Sequence, residues 1–172
     1  GNVASDAIGE KRLEYLRGSR ADEGSSGARF RERKSRQGDI VNSVLWYAAD
    51  PASNYAFNGY PAYANNVYNR LPIVYVGGND GMLHGFSAVD GSEKIAYVPR
   101  GVYANLSRLT DVNYDPEHRY FVDGSPLVGD VQIGGTSVAD WRTVLVGTLG
   151  AGGKGYFVLD VTNPGAKPST SI

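Results

Sequence analysis

Short hydrophobic runs in the middle of the chain alternate with glycine-rich turns. Residues 73–76 and 82–86 are rich in β-favouring side chains, and the turn Gly77-Gly78-Asn79-Asp80-Gly81 lies between them. An Asp-Gly pair between two such runs is a strong hairpin signal. A second pair, Asp90-Gly91, precedes a third run over residues 94–98. The pattern therefore predicts a three-stranded antiparallel meander, and we expect the rest of the chain to be organised around it.

The same alternation extends the prediction to a mostly β fold. Further short strands are predicted over residues 40–41, 44–47, 120–122, 127–131, 143–147 and 156–161. Two stretches lack a sustained hydrophobic period. Residues 19–37 are polar and predict a surface loop or a poorly ordered arm, and residues 50–69 predict an irregular insertion rich in Tyr, Asn and Pro. A short helical turn is expected within residues 103–108.

One regular helix is predicted, at the N-terminus. Ile8 and Leu16 fall near one face of it, Ser5 or Asp6 is suited to cap its start, and Gly18 is suited to end it. The polar stretch that follows contains a basic cluster. Its members are Arg29, Arg31, Arg33, Lys34 and Arg36. Such a cluster is either a contact for an anionic partner or a solvated loop, and the sequence leaves both open.

Composition narrows the possible functions. The 172 residues include 23 Gly and 12 Tyr, which favours many short strands and tight turns. The formal net charge is −1, so no nucleic-acid or acidic-lipid partner is expected. The absence of Cys excludes disulfides, thiolate nucleophiles and thiolate metal sites. No apolar run is long enough to predict a transmembrane segment.

A weak internal repeat relates the two halves of the chain. Residues 73–77 parallel residues 143–147, and residues 82–90 parallel residues 156–160. Each unit reads as strand, strand, glycine-rich turn and strand, which is the organisation of β-propeller blades. Two units cannot close a ring of about four to eight blades. We therefore predict a partial or truncated β-propeller whose free sheet edges could support an oligomer.

The repeat also divides the chain. The predicted parts are an N-terminal helix and polar loop over residues 1–37, a first blade with an insertion over residues 38–118, and a second, incomplete blade over residues 119–172.

Asp111, Asn113 and Asp115 form the best metal candidate in the sequence. Oxygen-bearing side chains at alternate positions allow a loop to wrap a hard cation such as calcium. Pro116 and Val122 stand where a complete calcium loop would have Gly and a bidentate Glu. A calcium site and an ordinary turn both remain open here.

Other motifs have a structural explanation that we prefer. Gly150-Ala151-Gly152-Gly153-Lys154-Gly155 fits a dinucleotide-binding pattern, but a strand rather than a helix is predicted after it. His84 lies on a strand of the central hairpin and is expected to be a hydrogen-bonded structural residue. Trp46 and Trp141 are expected to pack between strands. No catalytic constellation is recognised, so no enzyme activity is expected.

Several blocks of the sequence resemble one family. They include Gly38-Asp39-Ile40-Val41-Asn42-Ser43, Val74-Tyr75-Val76-Gly77-Gly78-Asn79-Asp80-Gly81-Met82-Leu83-His84-Gly85-Phe86, His118-Arg119-Tyr120-Phe121-Val122-Asp123-Gly124-Ser125-Pro126 and Val144-Leu145-Val146-Gly147-Thr148-Leu149-Gly150. These blocks look like the C-terminal propeller of PilY/PilC-type proteins, which are type IV pilus biogenesis factors and tip-associated adhesins of Gram-negative bacteria.

The resemblance implies a quinoprotein-like β-propeller without catalysis. It also implies an exported protein at the pilus tip, cell surface or outer membrane, with a role in pilus assembly, surface adhesion and twitching motility. The implied partners are pilins or minor pilins and receptors on host or abiotic surfaces. Two alternatives remain open: a fragment of a quinoprotein-like dehydrogenase, and a glycan-binding propeller that uses Tyr55, Tyr60 and Tyr63.

Overall fold

Seven antiparallel strands form two sheets in the computed structural model, which describes residues 8–24, 30–51 and 53–164. The first sheet contains β1 (Trp46–Ala48), β2 (Ile73–Gly77), β3 (Leu83–Ser87) and β4 (Glu93–Tyr97), hydrogen-bonded in that order. The second sheet contains β5 (Leu127–Gln132), β6 (Trp141–Thr148) and β7 (Tyr156–Asp160), also in chain order. The prediction of a mostly β fold made of antiparallel meanders is confirmed. The division at residues 37 and 118 stays a prediction.

The central hairpin forms where the sequence predicts it. β2 and β3 pair from Ile73 opposite Ser87 to Gly77 opposite Leu83. The turn between them ends with Gly81 at a φ of +92°. A side chain at that angle would be strained, which explains why glycine follows the aspartate of this turn.

One hydrophobic core is shared by both sheets. Its fully buried side chains include Ile73, Tyr75 and Leu83 from the first sheet and Leu145 and Leu159 from the second. Because one cluster contains residues of both sheets, each sheet buries its apolar face against the other.

Two predicted strands are wrong. Residues 40–41 and 120–122 form no strand. Around residues 120–122, a side chain and a loop carbonyl pair with the backbone groups instead of a neighbouring strand. The Phe121 N–H donates to Asn79 Oδ1 at 3.1 Å, and the Val122 N–H donates to the Gly78 carbonyl at 3.4 Å. The predicted strand over residues 44–47 is shorter than expected, because only its end is part of β1.

The first helix, α1 (Gly9–Leu16), is followed by Gly18 at a φ of +103°, as predicted. The predicted caps, Ser5 and Asp6, lie outside the described residues. The expected helical turn within residues 103–108 is part of a longer 3-10 helix, Arg100–Thr110. Over the described ranges, no helix is both long and apolar enough to cross a membrane.

A second helix, α2 (Tyr60–Asn66), corrects the prediction that residues 50–69 contain no regular element. The tyrosines Tyr60 and Tyr63 lie on one face of it and bury against Trp141 of β6. Isolated helices of this length are unstable in water, so tertiary packing of the aromatic face must stabilise this one.

The described parts of the polar stretch, residues 19–24 and 30–37, form no helix or strand, as expected of a surface loop, but two of their side chains are buried beside α1. Phe30 is fully buried, and its ring lies 5.2 Å from that of Tyr15. Arg33 is also buried. Its Nε donates to Glu23 at 2.6 Å, its Nη1 donates to the Tyr15 carbonyl at 2.8 Å, and its guanidinium lies 3.7 Å from the centroid of the Tyr15 ring.

Three members of the predicted basic cluster, Arg31, Arg33 and Arg36, make contacts within the protein. The guanidinium of Arg31 lies 4.4 Å from the centroid of the Tyr114 ring, and Arg36 donates to the Gly18 carbonyl at 3.0 Å. Together with the buried Arg33, these contacts favour a structural role over an anionic partner. Lys34 is exposed, and Arg29 lies outside the described residues.

We predict that Arg33→Ala lowers the free energy of unfolding by about 3 kcal/mol, because it leaves the Glu23 carboxylate buried without its closest cation. Urea denaturation measures the change. The matched control is Lys34→Ala, which removes the neighbouring exposed charge and should change stability by less than about 0.5 kcal/mol. Equal effects of the two substitutions would contradict the structural role of Arg33.

Candidate functional site

The central turn contains a buried polar side chain that joins distant segments of the chain. Asn79 is only 2% exposed, and its side-chain nitrogen, side-chain oxygen and backbone N–H are each hydrogen-bonded. Its Nδ2 donates to Asp39 Oδ2 at 2.9 Å, its N–H donates to the Asp39 carbonyl at 3.0 Å, and its Oδ1 accepts from the Phe121 N–H. The turn therefore binds the segment before β1 and the segment before β5 at once.

Asp39 is held as a carboxylate by this arrangement. Burial acts to raise its pKa, but hydrogen bonds from Asn79 and His118 outweigh burial, and the pKa lies below the usual 3.8. His118 Nε2 lies 3.0 Å from the Asp39 carboxylate. Asp39 thus accepts from both the buried turn and an exposed histidine.

The neighbouring Asp80 organises the other side of the turn. Its carboxylate accepts from the Gly38 N–H at 2.7 Å and from the Met82 N–H at 3.2 Å. It also lies 3.0 Å from Nε2 of His84. This aspartate, which the sequence identifies only as a turn residue, also joins the hairpin to the chain before β1.

His84 is buried between two carboxylates. Its Nδ1 lies 2.6 Å from Glu93 Oε1, and its Nε2 faces Asp80. Burial acts to lower the pKa of His84, but the hydrogen bonds and charges of Asp80 and Glu93 outweigh burial and raise the pKa above its ordinary 6.5. These contacts agree with the prediction of a hydrogen-bonded structural histidine.

A second polar connection is centred on Asp123, which is 2% exposed. Its carboxylate accepts from the Asn42 backbone at 3.2 Å and from the Asn42 side chain at 2.7 Å. The Gly77 N–H donates to Ser43 Oγ at 2.9 Å, and the Val44 N–H donates to Ser125 Oγ at 3.0 Å. The segment before β1 is therefore bonded to β2 and to the entry of the second sheet.

The predicted calcium residues are engaged in local contacts. Asp111 Oδ1 accepts from the Asn113 N–H at 3.0 Å, which is an Asx turn, and Asp115 Oδ1 accepts from Arg31 Nη1 at 3.3 Å. A cation here would have to compete with the Arg31 contact. Among the described residues, no group of three or more His, Cys, Asp or Glu is placed to hold a metal ion. Calcium at this loop stays a prediction.

The predicted glycan-binding tyrosines are brought together, but only one of them is exposed. Tyr60 and Tyr63 are buried, whereas Tyr55 is 39% exposed. Burial, then the hydrogen bond to Asp130, raises the pKa of Tyr60 to about 12, so its hydroxyl remains a donor. Trp141 is buried, as predicted, but the buried rings it packs against belong to helix α2 and not to a neighbouring strand.

Sequence reasoning missed Phe57, Asp130 and Gln132, which lie beside the tyrosines. Phe57 is 63% exposed, and the other two lie on β5. Two features of the sequence point to these residues. Phe57 stands three residues before Tyr60, and Asp130 and Gln132 are two positions apart on a strand, which places both on one face of it.

The glycine-rich run is a turn between strands, as expected. It contains a short 3-10 helix, Gly150–Gly152, and β7 follows it. A Cβ on Gly152 would collide with the carbonyl of Phe121, so glycine there allows two backbones to approach each other.

Comparison with known proteins identifies the fold. A family model described as the PilY1 beta-propeller domain matches residues 37–171. The crystal structure of the Pseudomonas aeruginosa PilY1 C-terminal domain is similar, with a TM-score of 0.50 and 39% identity, over 69% of this chain and 23% of that one. The prediction of a partial β-propeller is confirmed.

Curated relatives agree with this match. A type IV pilus biogenesis factor PilY1 homolog of Xylella fastidiosa is 43% identical over 171 residues, and PilY1 of Pseudomonas aeruginosa strain PAK is 44% identical over 173 residues. Each alignment covers 95% of this chain and 14% of the relative. The chain thus spans about 14% of the length of these relatives. The resemblance described from the sequence is confirmed.

We predict that the stability contributed by His84 decreases as pH rises. Because the folded pKa is raised above 6.5, the contribution is fully present below that value and is lost as pH rises through the folded pKa. The measurement is urea denaturation of the wild type and His84→Gln between about pH 6 and pH 9. The stability difference between the two proteins should shrink over this interval.

The control for this prediction is Glu93→Gln, which keeps a hydrogen-bond acceptor but removes one of the two charges that favour protonated His84. In that background the pH dependence should be weaker. A difference between wild type and His84→Gln that stays constant with pH would contradict the assignment.

Proposed function

This chain belongs to the PilY1 β-propeller domain family, and on that premise we propose that it is a non-enzymatic module of type IV pilus biogenesis. Within that role it supports pilus assembly, surface adhesion and twitching motility. The observation that carries the proposal is the family match over residues 37–171, together with two blade-like sheets in the same region.

The use of the polar residues supports a scaffold rather than a catalyst. Asn79, Asp80 and Asp123 are each paired with groups of neighbouring segments. His84 is enclosed by two carboxylates and is 5% exposed. Groups that are buried in this way stabilise the frame and are poorly placed to reach a substrate.

The partners that fit this role are pilins or minor pilins and receptors on host or abiotic surfaces. The location that fits it is the cell surface, the pilus tip or the outer membrane of a Gram-negative bacterium, after export. These proposals rest on the family.

Deletion of the gene that encodes this chain should remove surface pili, adhesion and twitching. Complementation with variants of the gene then tests whether an intact fold of the blades is required. Gly77→Ala should fail to restore these properties, because a Cβ there collides with the Val122 carbonyl. The measurements are pilus counts by electron microscopy, adherent cells and twitching-zone diameter.

The matched control is Gly129→Ala, a second strand glycine whose added Cβ meets no atom within 4 Å. It should restore all three properties. Normal piliation, adhesion and twitching in the deletion strain would overturn the proposed function.

A further inference from the structure

An open depression of about 430 Å³ lies between the insertion that contains α2 and β5, the first strand of the second sheet. The residues that line it are Tyr55, Phe57, Asp130, Val131, Gln132 and Trp141. We call it the aromatic depression. Its volume falls within the roughly 300–1,000 Å³ that is usual for small-ligand sites.

Aromatic rings form its walls. The ring of Tyr55 is stacked on that of Trp141, with 5.8 Å between centroids and 17° between planes. The ring of Phe57 lies 6.5 Å from Trp141 and 6.0 Å from Tyr55, and it is 63% exposed. Flat apolar surface is therefore presented to solvent on a fixed support.

Hydrogen bonds fix the floor of the aromatic depression. The Asn58 carbonyl accepts from Trp141 Nε1 at 3.0 Å and from Gln132 Nε2 at 3.1 Å. The loop that carries Phe57 is thereby tied to two strands of the second sheet. A site that is already ordered loses less entropy when a ligand binds.

Asp130 supplies a carboxylate with spare acceptor capacity. Its Oδ2 accepts from the Tyr60 hydroxyl at 2.8 Å and its Oδ1 from the Thr143 hydroxyl at 2.6 Å. An ionised carboxylate offers about four lone-pair positions, so about two remain for a ligand. Asp130 is the charged residue among the six that line the depression.

We propose that the aromatic depression binds neutral saccharides. A pyranose ring has a face of C–H groups that packs on aromatic rings, and hydroxyl groups at its rim that donate to carboxylate and amide oxygens. An acidic sugar would bring a like charge to Asp130, which disfavours it. An apolar protein side chain would bury the remaining lone pairs of the carboxylate without giving them a donor. This inference deepens the adhesive part of the proposed function and rests on it.

The direct test is titration of the chain with cellotriose, chitotriose and sialyllactose, followed by saturation-transfer NMR and calorimetry. Both neutral trimers should bind more tightly than sialyllactose. Tyr55→Ala and Phe57→Ala should each weaken the binding about three- to tenfold, because each removes one aromatic contact with the sugar. Phe57 is largely exposed, so its substitution should leave the melting temperature unchanged.

The matched control is Tyr156→Ala on β7, which removes another exposed aromatic ring and should leave sugar binding unchanged. Absence of binding by both neutral trimers, preference for sialyllactose, or an affinity for the neutral trimers that Phe57→Ala leaves unchanged would overturn the proposal. So would a dimer of the wild type that Phe57→Ala dissociates, because a second copy would then occupy the depression. None of these results changes the expected pilus-assembly defect of the deletion strain, so the saccharide proposal and the proposed function can fail independently.

Discussion

The burial of one amide at the central turn constrains how the two sheets meet. Asn79 is almost fully buried, and an unpaired amide in that position would cost free energy. Its donors are matched by Asp39 before β1, and its acceptor is matched by the Phe121 N–H before β5. Two segments that are distant in sequence therefore meet at this turn in the folded protein.

Close approach of two backbones also stabilises the contact between the central turn and the segment before β5. A Cβ on Gly77 would collide with the carbonyl of Val122, so β2 and the segment before β5 can approach this closely only because glycine stands there. The polar side chains at this contact are hydrogen-bonded to one another and to the backbone. The exposed aromatic rings of the insertion, Tyr55 and Phe57, lie outside this contact, on a surface that the frame fixes in position. Exposed loops that a rigid scaffold holds in position suit a recognition module.

Local signals in the sequence predict the strands well and the long-range partners poorly. The hairpin at Asp80-Gly81 is predictable because alternation and turn chemistry lie within a few residues of each other. Helix α2 was missed, although Pro61 in its first turn is a start signal, because the segment has few aliphatic residues. The pairing of Asn79 with Asp39 spans 40 residues and leaves no periodic trace. At the candidate site, Tyr60 and Tyr63 were recognised as a set, but only the structure separates these buried rings from the exposed Tyr55.

The central claim is that the buried turn couples the two sheets into one cooperative unit. Native-state hydrogen exchange of Asn79→Ala tests it most directly, because exchange reports the opening free energy of each strand separately. The account predicts that the opening free energy of the amides falls by about 2 kcal/mol in β2 and by the same amount in β6. A loss confined to β2, with β6 amides protected as in the wild type, would contradict it.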